Sequence, residues 1–261
     1  MERFTDLNNR LEQLVVPISE GDVPGKRRSV KSWKEVEIKE PDKPEPLVDL
    51  ARDERLKPYL VLSPQYHQQK IEGSIEKMWV RESVADALYR AAQLLPEGCK
   101  FEIWDAWRPF VVQQALFNEY LESLKEKKPE LSEKELNEEA QKYVSLPSKD
   151  LERPSPHNTG GAIDLTIVGP DGEKLEMGTE FDYFGPEAKT IYFEEKLKDS
   201  EVAPSERERQ ILKNRRLLFS IMITAGFSNY EEEWWHYDLG NQFWGRIKGK
   251  TAIYGRAVPA K

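Results

Sequence analysis

Cysteine and histidine are the scarce residues of this 261-residue chain, which holds one Cys (Cys99) and three His (His67, His157 and His236). A single thiol excludes an internal disulfide, a cysteine-based zinc module and a protein-ligated iron–sulfur cluster. Basic residues are short too: 39 Lys+Arg face 47 Asp+Glu, for a formal net charge of -8. That balance argues against a nucleic-acid binder, which needs a basic stripe. Long apolar runs are missing. The greasiest stretch, Leu217 to Ala225, falls far short of the roughly 18 residues that cross a bilayer. The first residues carry charges at Glu2, Arg3 and Asp6 and lack the apolar stretch of a secretory signal. These absences point to a cytoplasmic protein with no membrane or nucleic-acid partner. What is present is ample: 38% hydrophobic residues, with seven Trp, ten Tyr and ten Phe, enough for a sizeable core.

Residues 18 to 58 are punctuated by Pro24, Pro41, Pro44, Pro46 and Pro58 and read as an irregular lead-in, with the apolar piece at 47–50 packing on the domain it precedes. We therefore expect an N-terminal extension over residues 1–58 and one catalytic domain over 59–261. Val80, Val84, Ala87, Leu88, Ala91 and Leu95 recur at helical spacing from Trp79 onward, and Pro96-Glu97-Gly98 ends the run. Lys100 to Trp104 reads as a buried strand, followed by a helix from about Phe110 to Leu124. Ser132 with Glu135 forms a capping box opening a helix on which Leu136, Ala140 and Tyr143 share a face. Ala162 to Val168 reads as a strand, turned into a hairpin by Gly169-Pro170-Asp171-Gly172. The stretch 186–204 is polar and reads as a surface excursion. Ser205 with Glu208 caps a further helix, whose Ile211, Leu218, Met222 and Ala225 face inward and which Gly226 ends. From Phe227 to Tyr254 the chain is aromatic and strand-like. The expected fold class is α+β, a single domain with a small antiparallel sheet flanked by helices.

Two of the scarce histidines sit in unusual company. In Ser155-Pro156-His157-Asn158-Thr159-Gly160-Gly161-Ala162-Ile163-Asp164, a loop His precedes a glycine pair and then a strand. Ile163, Leu165 and Ile167 alternate toward one face, so Asp164 points the other way. A buried Asp there needs a compensating charge, which a metal ion would supply; a solvent-facing Asp on a half-exposed strand explains it equally well. In Glu231-Glu232-Glu233-Trp234-Trp235-His236, an acidic run enters an aromatic segment. Taken alone, His236 reads most simply as a hydrogen-bonded core histidine. Taken together, His157, Asp164 and His236 make a three-ligand set that leaves a position open for water. Glu233 is the nearest unassigned carboxylate to take a proton from that water. Strict strand alternation would set Glu233 and His236 on opposite faces, so Glu233 must lie at the strand's start or in a bulge. Arg108, after a buried strand and between Trp107 and Pro109, either stabilises an oxyanion or pairs with a structural carboxylate such as Asp105. His67 reads as a surface or structural residue.

These segments together resemble the D-alanyl-D-alanine dipeptidases (VanX-like), relatives of the zinc D-Ala-D-Ala carboxypeptidases. The resemblance rests on Asp105-Ala106-Trp107-Arg108-Pro109, on Ser155 through Asp164 and on Glu233-Trp234-Trp235-His236, supported by Gly178-Thr179, Phe181-Asp182, Asn214 to Leu218 and Ala225 to Tyr230. It spans about residues 79 to 245. It implies one zinc per chain on the sheet face, held by His157, Asp164 and His236, with Glu233 as general base and Arg108 as transition-state stabiliser. It also implies that Ser155 and Asp182 grip the carboxylate and ammonium ends of a small dipeptide. The stretch Pro64-Gln65-Tyr66-His67-Gln68 departs from the family pattern. Readings that keep part of this picture are a D,D- or L,D-carboxypeptidase acting on longer peptides, a two-His-one-carboxylate Fe(II) oxygenase and a non-catalytic peptide-binding module. The oligomeric state is left open by the sequence, a homodimer included.

Overall fold

The computed structural model describes residues 13–23, 32–140, 148, 150–198 and 202–259. The lead-in contributes β1 (Leu47–Asp49), and next come β2 (Leu60–Leu62) and a short helix α1 (Gln65–Gln68). The helical run read from Trp79 is divided. Trp79–Arg81 is strand β3, pairing antiparallel with β1, and α2 begins only at Glu82 and runs to Ala92. Arg81 is the reason: it is extended (φ -61, ψ 149), and its guanidinium is buried among the carbonyls of Glu45, Thr159 and Gly255. Strand β4 (Lys100–Asp105) leads to the long helix α3 (Phe110–Lys127) and to α4 (Glu133–Ala140). Ser132 and Glu135 make the expected reciprocal cap at α4. Leu136 and Ala140 are buried against α3, and Tyr143 falls outside the described residues.

Strand β5 (Ala162–Val168) is followed by the turn at Gly169–Gly172, which returns the chain so that Lys174 bridges Val168. The polar stretch 186–204 is more than a surface excursion, which corrects the expectation. It carries helix α5 (Tyr192–Lys198), and Ala188, Ile191 and Phe193 are buried. Helix α6 (Glu206–Thr224) opens on the Ser205–Glu208 capping box and buries Ile211, Leu218 and Met222. The aromatic tail is only briefly strand: β6 (Ser228–Asn229) and β7 (His236–Asp238) precede a helix, α7 (Gln242–Lys248).

Five strands form the main sheet in the order β2-β4-β5-β7-β6. It is mixed: β2 runs parallel to β4, and the remaining pairs are antiparallel. The α+β reading therefore holds as a mixed α/β single domain with a second, two-stranded sheet. The core lies between one sheet face and helices α2 and α6, joining Val84, Leu88, Leu218 and Met222 to Ile163, Leu165 and Ile167. Every residue of β5 is buried, on both faces. Its second face carries Asp164, and this is where the chemistry-bearing residues gather. A register shift between Ile103 and Asp105 brings Asp105 beside Asp164, which in turn lies opposite His236 on β7. Such a bulge re-aims a strand end, and here it sets two acids and a histidine in one row across three strands.

Candidate metal centre and active site

His157 stands in a one-turn 3-10 segment, Pro156–Thr159, closed by Gly160 in the left-handed region (φ 72). A Cβ on Gly160 would collide with Leu47, so the turn can seat against β1 only with glycine there. The His157 Nδ1–H donates to the carbonyl of Ala106 at 2.7 Å, leaving Nε2 as a bare lone pair. On His236 the roles are reversed: Nε2 lies 3.1 Å from Asp238 Oδ1 and donates to it, leaving Nδ1 bare. Such outward hydrogen bonds are how ligand imidazoles are oriented. The two inward nitrogens are 3.3 Å apart, and Asp164 Oδ2 is 3.3 Å from His157 Nε2. Asp164 Oδ1 sits 3.0 Å from His236 Nδ1, yet it has no aligned hydrogen-bond donor.

Two lone pairs and a carboxylate oxygen aimed at one point repel one another unless a cation lies between them. His157, Asp164 and His236 are 4%, 2% and 5% exposed, which removes the solvent-facing reading of Asp164. Their ligand atoms all fall within 4.8 Å of one another, so the donor set fits a single metal ion. Burial works against charge on Asp164, but the two imidazoles hold its carboxyl well below the usual range. Burial likewise opposes a charged His236, and Asp238 with Asp164 overcomes it, raising that imidazole well above its ordinary pKa, so that at Nδ1 a metal ion would compete with a proton.

Glu233 satisfies the requirement that strand alternation imposes. It lies in the turn before β7, with the His236 amide donating to its carbonyl at 3.3 Å. Its Oε2 is 3.8 Å from His236 Nδ1. Burial is the main cause that pushes its pKa up to about 8, with Asp164 adding to it and His236 opposing. The stretch 186–204 braces this turn: the Trp234 amide donates to Ala188, and the Thr190 amide to Glu231.

Arg108 has the structural carboxylate partner that the sequence suggested. It pairs with Asp105 (Nη2 to Oδ2, 2.7 Å), and the same Nη2 stands 3.7 Å from Asp164 Oδ2 at the mouth of the triad. Its Nη1 donates to Gln113 Oε1 at 2.8 Å, and Nη2 to the Tyr66 hydroxyl at 3.2 Å. Nearby carboxylates keep the guanidinium charged in spite of its burial. Tyr66 in turn donates to Asp182 Oδ2 at 2.8 Å. Asp182 is held at φ 56, and burial pushes its pKa up to about 7. All these groups except Asp105 line one cavity of about 400 Å³.

Ser155 is buried at the start of the 3-10 segment and is not among the residues lining that cavity. His67 is exposed on α1. Tyr66, Gln113 and Asp238 belong to the site and were not picked out by sequence. Asp238 had a usable signal, since it follows His236 by two residues and so shares its strand face. Tyr66 and Gln113 had none, because only the fold brings them to Arg108.

A buried pair of histidines and a carboxylate, with a desolvated glutamate and a fixed arginine beside them, defines a metal-dependent hydrolase. Comparison with known proteins narrows this class. The model of the D-ala-D-ala dipeptidase family (Peptidase_M15) matches residues 66–251, and the chain belongs to that family. It is thus a zinc metallopeptidase with zinc as its cofactor, which removes the oxygenase and binding-module readings. The match begins at Tyr66, inside the stretch 64–68 that departs from the family pattern. A D-alanyl-D-alanine dipeptidase of Synechocystis is 29% identical over 169 residues, covering 59% of this chain and 68% of that one. Its namesake from Enterococcus faecium is 28% identical over 179 residues, covering 68% and 77%. Among solved structures, a mutant of the vancomycin-resistance D,D-pentapeptidase VanY in complex with Zn(II) overlaps with a TM-score of 0.37 at 15% identity. That overlap covers 67% of this chain and 82% of the other. No helix among the described residues is long and apolar enough to cross a membrane.

Proposed function

We propose that this chain hydrolyses D-Ala-D-Ala, or a similarly small dipeptide containing a D-residue, with one zinc held on the sheet face by His157, Asp164 and His236. The observation that carries this reading is the pair of bare imidazole nitrogens 3.3 Å apart, each fixed by an outward hydrogen bond. When bound there, zinc supplies a Lewis acid that lowers the pKa of water and polarises a carbonyl. Glu233, at the edge of the triad, takes a proton from the attacking water on its carboxylate and returns it to the leaving amine. A carboxyl whose pKa burial lifts out of the ordinary carboxylate range holds the proton it takes long enough to return it. Arg108 turns its Nη2 toward the position where negative charge grows on the scissile carbonyl oxygen. Asp105 and Gln113 hold that guanidinium in place, so it need not reorganise during the reaction.

Asp182 receives the substrate's ammonium group, and Ser155 acts at the carboxylate end. Residues 59–261 form the catalytic domain, with 1–58 as an extension on it; β1, pairing with β3, supports that packing. The cytoplasm, where a lone thiol stays reduced, is the compartment that suits this reading. The test is turnover of free D-Ala-D-Ala against its N-acylated form by the zinc-loaded chain. The free dipeptide is expected to be the better substrate, and faster cleavage of the blocked peptide would overturn the reading.

A further inference from the structure

The cavity that holds the triad is much longer than a dipeptide. Helix α3 lines it with Gln113, Leu116, Glu119, Tyr120, Ser123 and Lys127, a spacing that places all six on one helical face. At about 1.5 Å of rise per residue, this stripe runs for about 21 Å. An extended dipeptide spans only about 7 Å. The two ends of the groove differ in charge. At the inner end, Gln113 accepts from Arg108, Arg108 donates to Tyr66, and Tyr66 donates to Asp182, so the acid lies beside the reacting centre. At the outer end Lys125 and Lys128 turn aside to Glu122 and Glu139, while Lys127 lines the groove. Between the two ends the Tyr120 and Phe184 rings pack with centroids 4.6 Å apart, tilted by 35°, giving an apolar waist.

We infer that the groove along α3 seats short peptides of about four residues beginning with a D-amino acid, their free amine at Asp182 and their C-terminal carboxylate at Lys127. Four residues reach at most about 14 Å, the flexible four-carbon stem of Lys127 covers the rest of the groove, and the polarity comes from Asp182 at the inner end and Lys127 at the outer one. The inference rests on the proposed dipeptidase reading, with D-Ala-D-Ala as the shortest member of the substrate class. The reaction is one hydrolysis: water adds across the first peptide bond, the C–N bond breaks, and the released tripeptide amine takes a proton. The products are the free N-terminal D-amino acid and the shortened peptide.

The test uses the zinc-loaded full chain with D-Ala-D-Ala, tetra-D-alanine, its C-terminal amide and its N-acetyl form. Calorimetric binding of the same peptides to the Glu233→Gln variant gives a readout independent of turnover. Tetra-D-alanine is expected to be cleaved at its first bond. The acid should outperform the amide about two- to five-fold in KM and in affinity, the worth of an exposed ion pair. Lys127→Glu should abolish or reverse that acid-to-amide ratio; because it compares two peptides on one variant, a folding or metal defect cancels. Cleavage of D-Ala-D-Ala but not of the tetrapeptide overturns the inference and leaves the dipeptidase reading standing. Cleavage of neither overturns both. Equal handling of acid and amide removes Lys127 from the site, and equal cleavage of the N-acetyl peptide reverses the direction of binding.

Discussion

The two walls of the active-site cavity are built on opposite terms. The sheet wall is buried and held by its strands: Asp164 faces His236 across β5 and β7, Asp105 braces the row from behind, and His157 is tied to Ala106. The helix wall, from Gln113 to Lys127 on α3, passes from a buried amide to an exposed lysine. Chemistry that needs fixed lone pairs sits on the first, and selectivity that must tolerate different ligands suits the second. A single site can thus be rigid where bonds break and forgiving where substrates differ.

Substitutions on the two walls should therefore separate in size. The largest effect is expected from Asp164→Ala, which leaves the two inward imidazole nitrogens facing each other without the carboxylate that completes the ligand set. Zinc should fall to well below one per chain by elemental analysis, and hydrolysis should be lost with it. Next is Glu233→Gln, which should lower kcat by about 10² to 10⁴ while zinc stays bound; an unchanged rate would remove Glu233 as the base. Asp238→Asn comes third. It weakens the hydrogen bond that orients His236, and outer partners of this kind typically cost about 10- to 100-fold in metal affinity, readable in a chelator competition.

The fourth effect is smaller and depends on pH. Asp182 is raised to about 7, so below that it is neutral and above it anionic. An ammonium group binds the anion better, so KM for a free dipeptide should fall as pH rises through about 7, where peptide amines are still mostly charged. Asp182→Asn should flatten this profile; a slope that survives the substitution would take Asp182 out of substrate binding. Lys127→Glu, on the helix wall, should change D-Ala-D-Ala turnover least of all, and a loss as large as that of Asp164→Ala would break the contrast between the walls.

What the sequence made legible was local. His157, Asp164, Glu233 and His236 lie in two short segments whose spacing encodes a turn entering a strand, and the structure brings these four residues together. Residues joined only by tertiary contact left no trace, as Tyr66 and Gln113 at Arg108 demonstrate. Two errors arose where local signals compete. Val80 fits a helical stripe, but pairing with Val48 holds it in a strand. Phe243 and Trp244 suit a strand by propensity, yet the Trp244 amide donates to Asn241 Oδ1, capping a helix that Gly249 ends in the left-handed region. The polar stretch 186–204 hid its anchors, since Ala188, Ile191 and Phe193 are spaced among charged residues.

The pairing of Asp164 with His236 across β5 and β7 has a consequence for how the domain holds together. Strand β7 is three residues long, and its partner on the far side, β6, is two. A cation held by Asp164 and His236 would act as a rivet between the middle of the sheet and its thin margin. Stripping it should loosen β7 and β6 before the rest of the sheet, so amide exchange there would quicken while Ile163 and Leu165 stay protected. The same ion that activates water would then also keep the last two strands of the sheet in register.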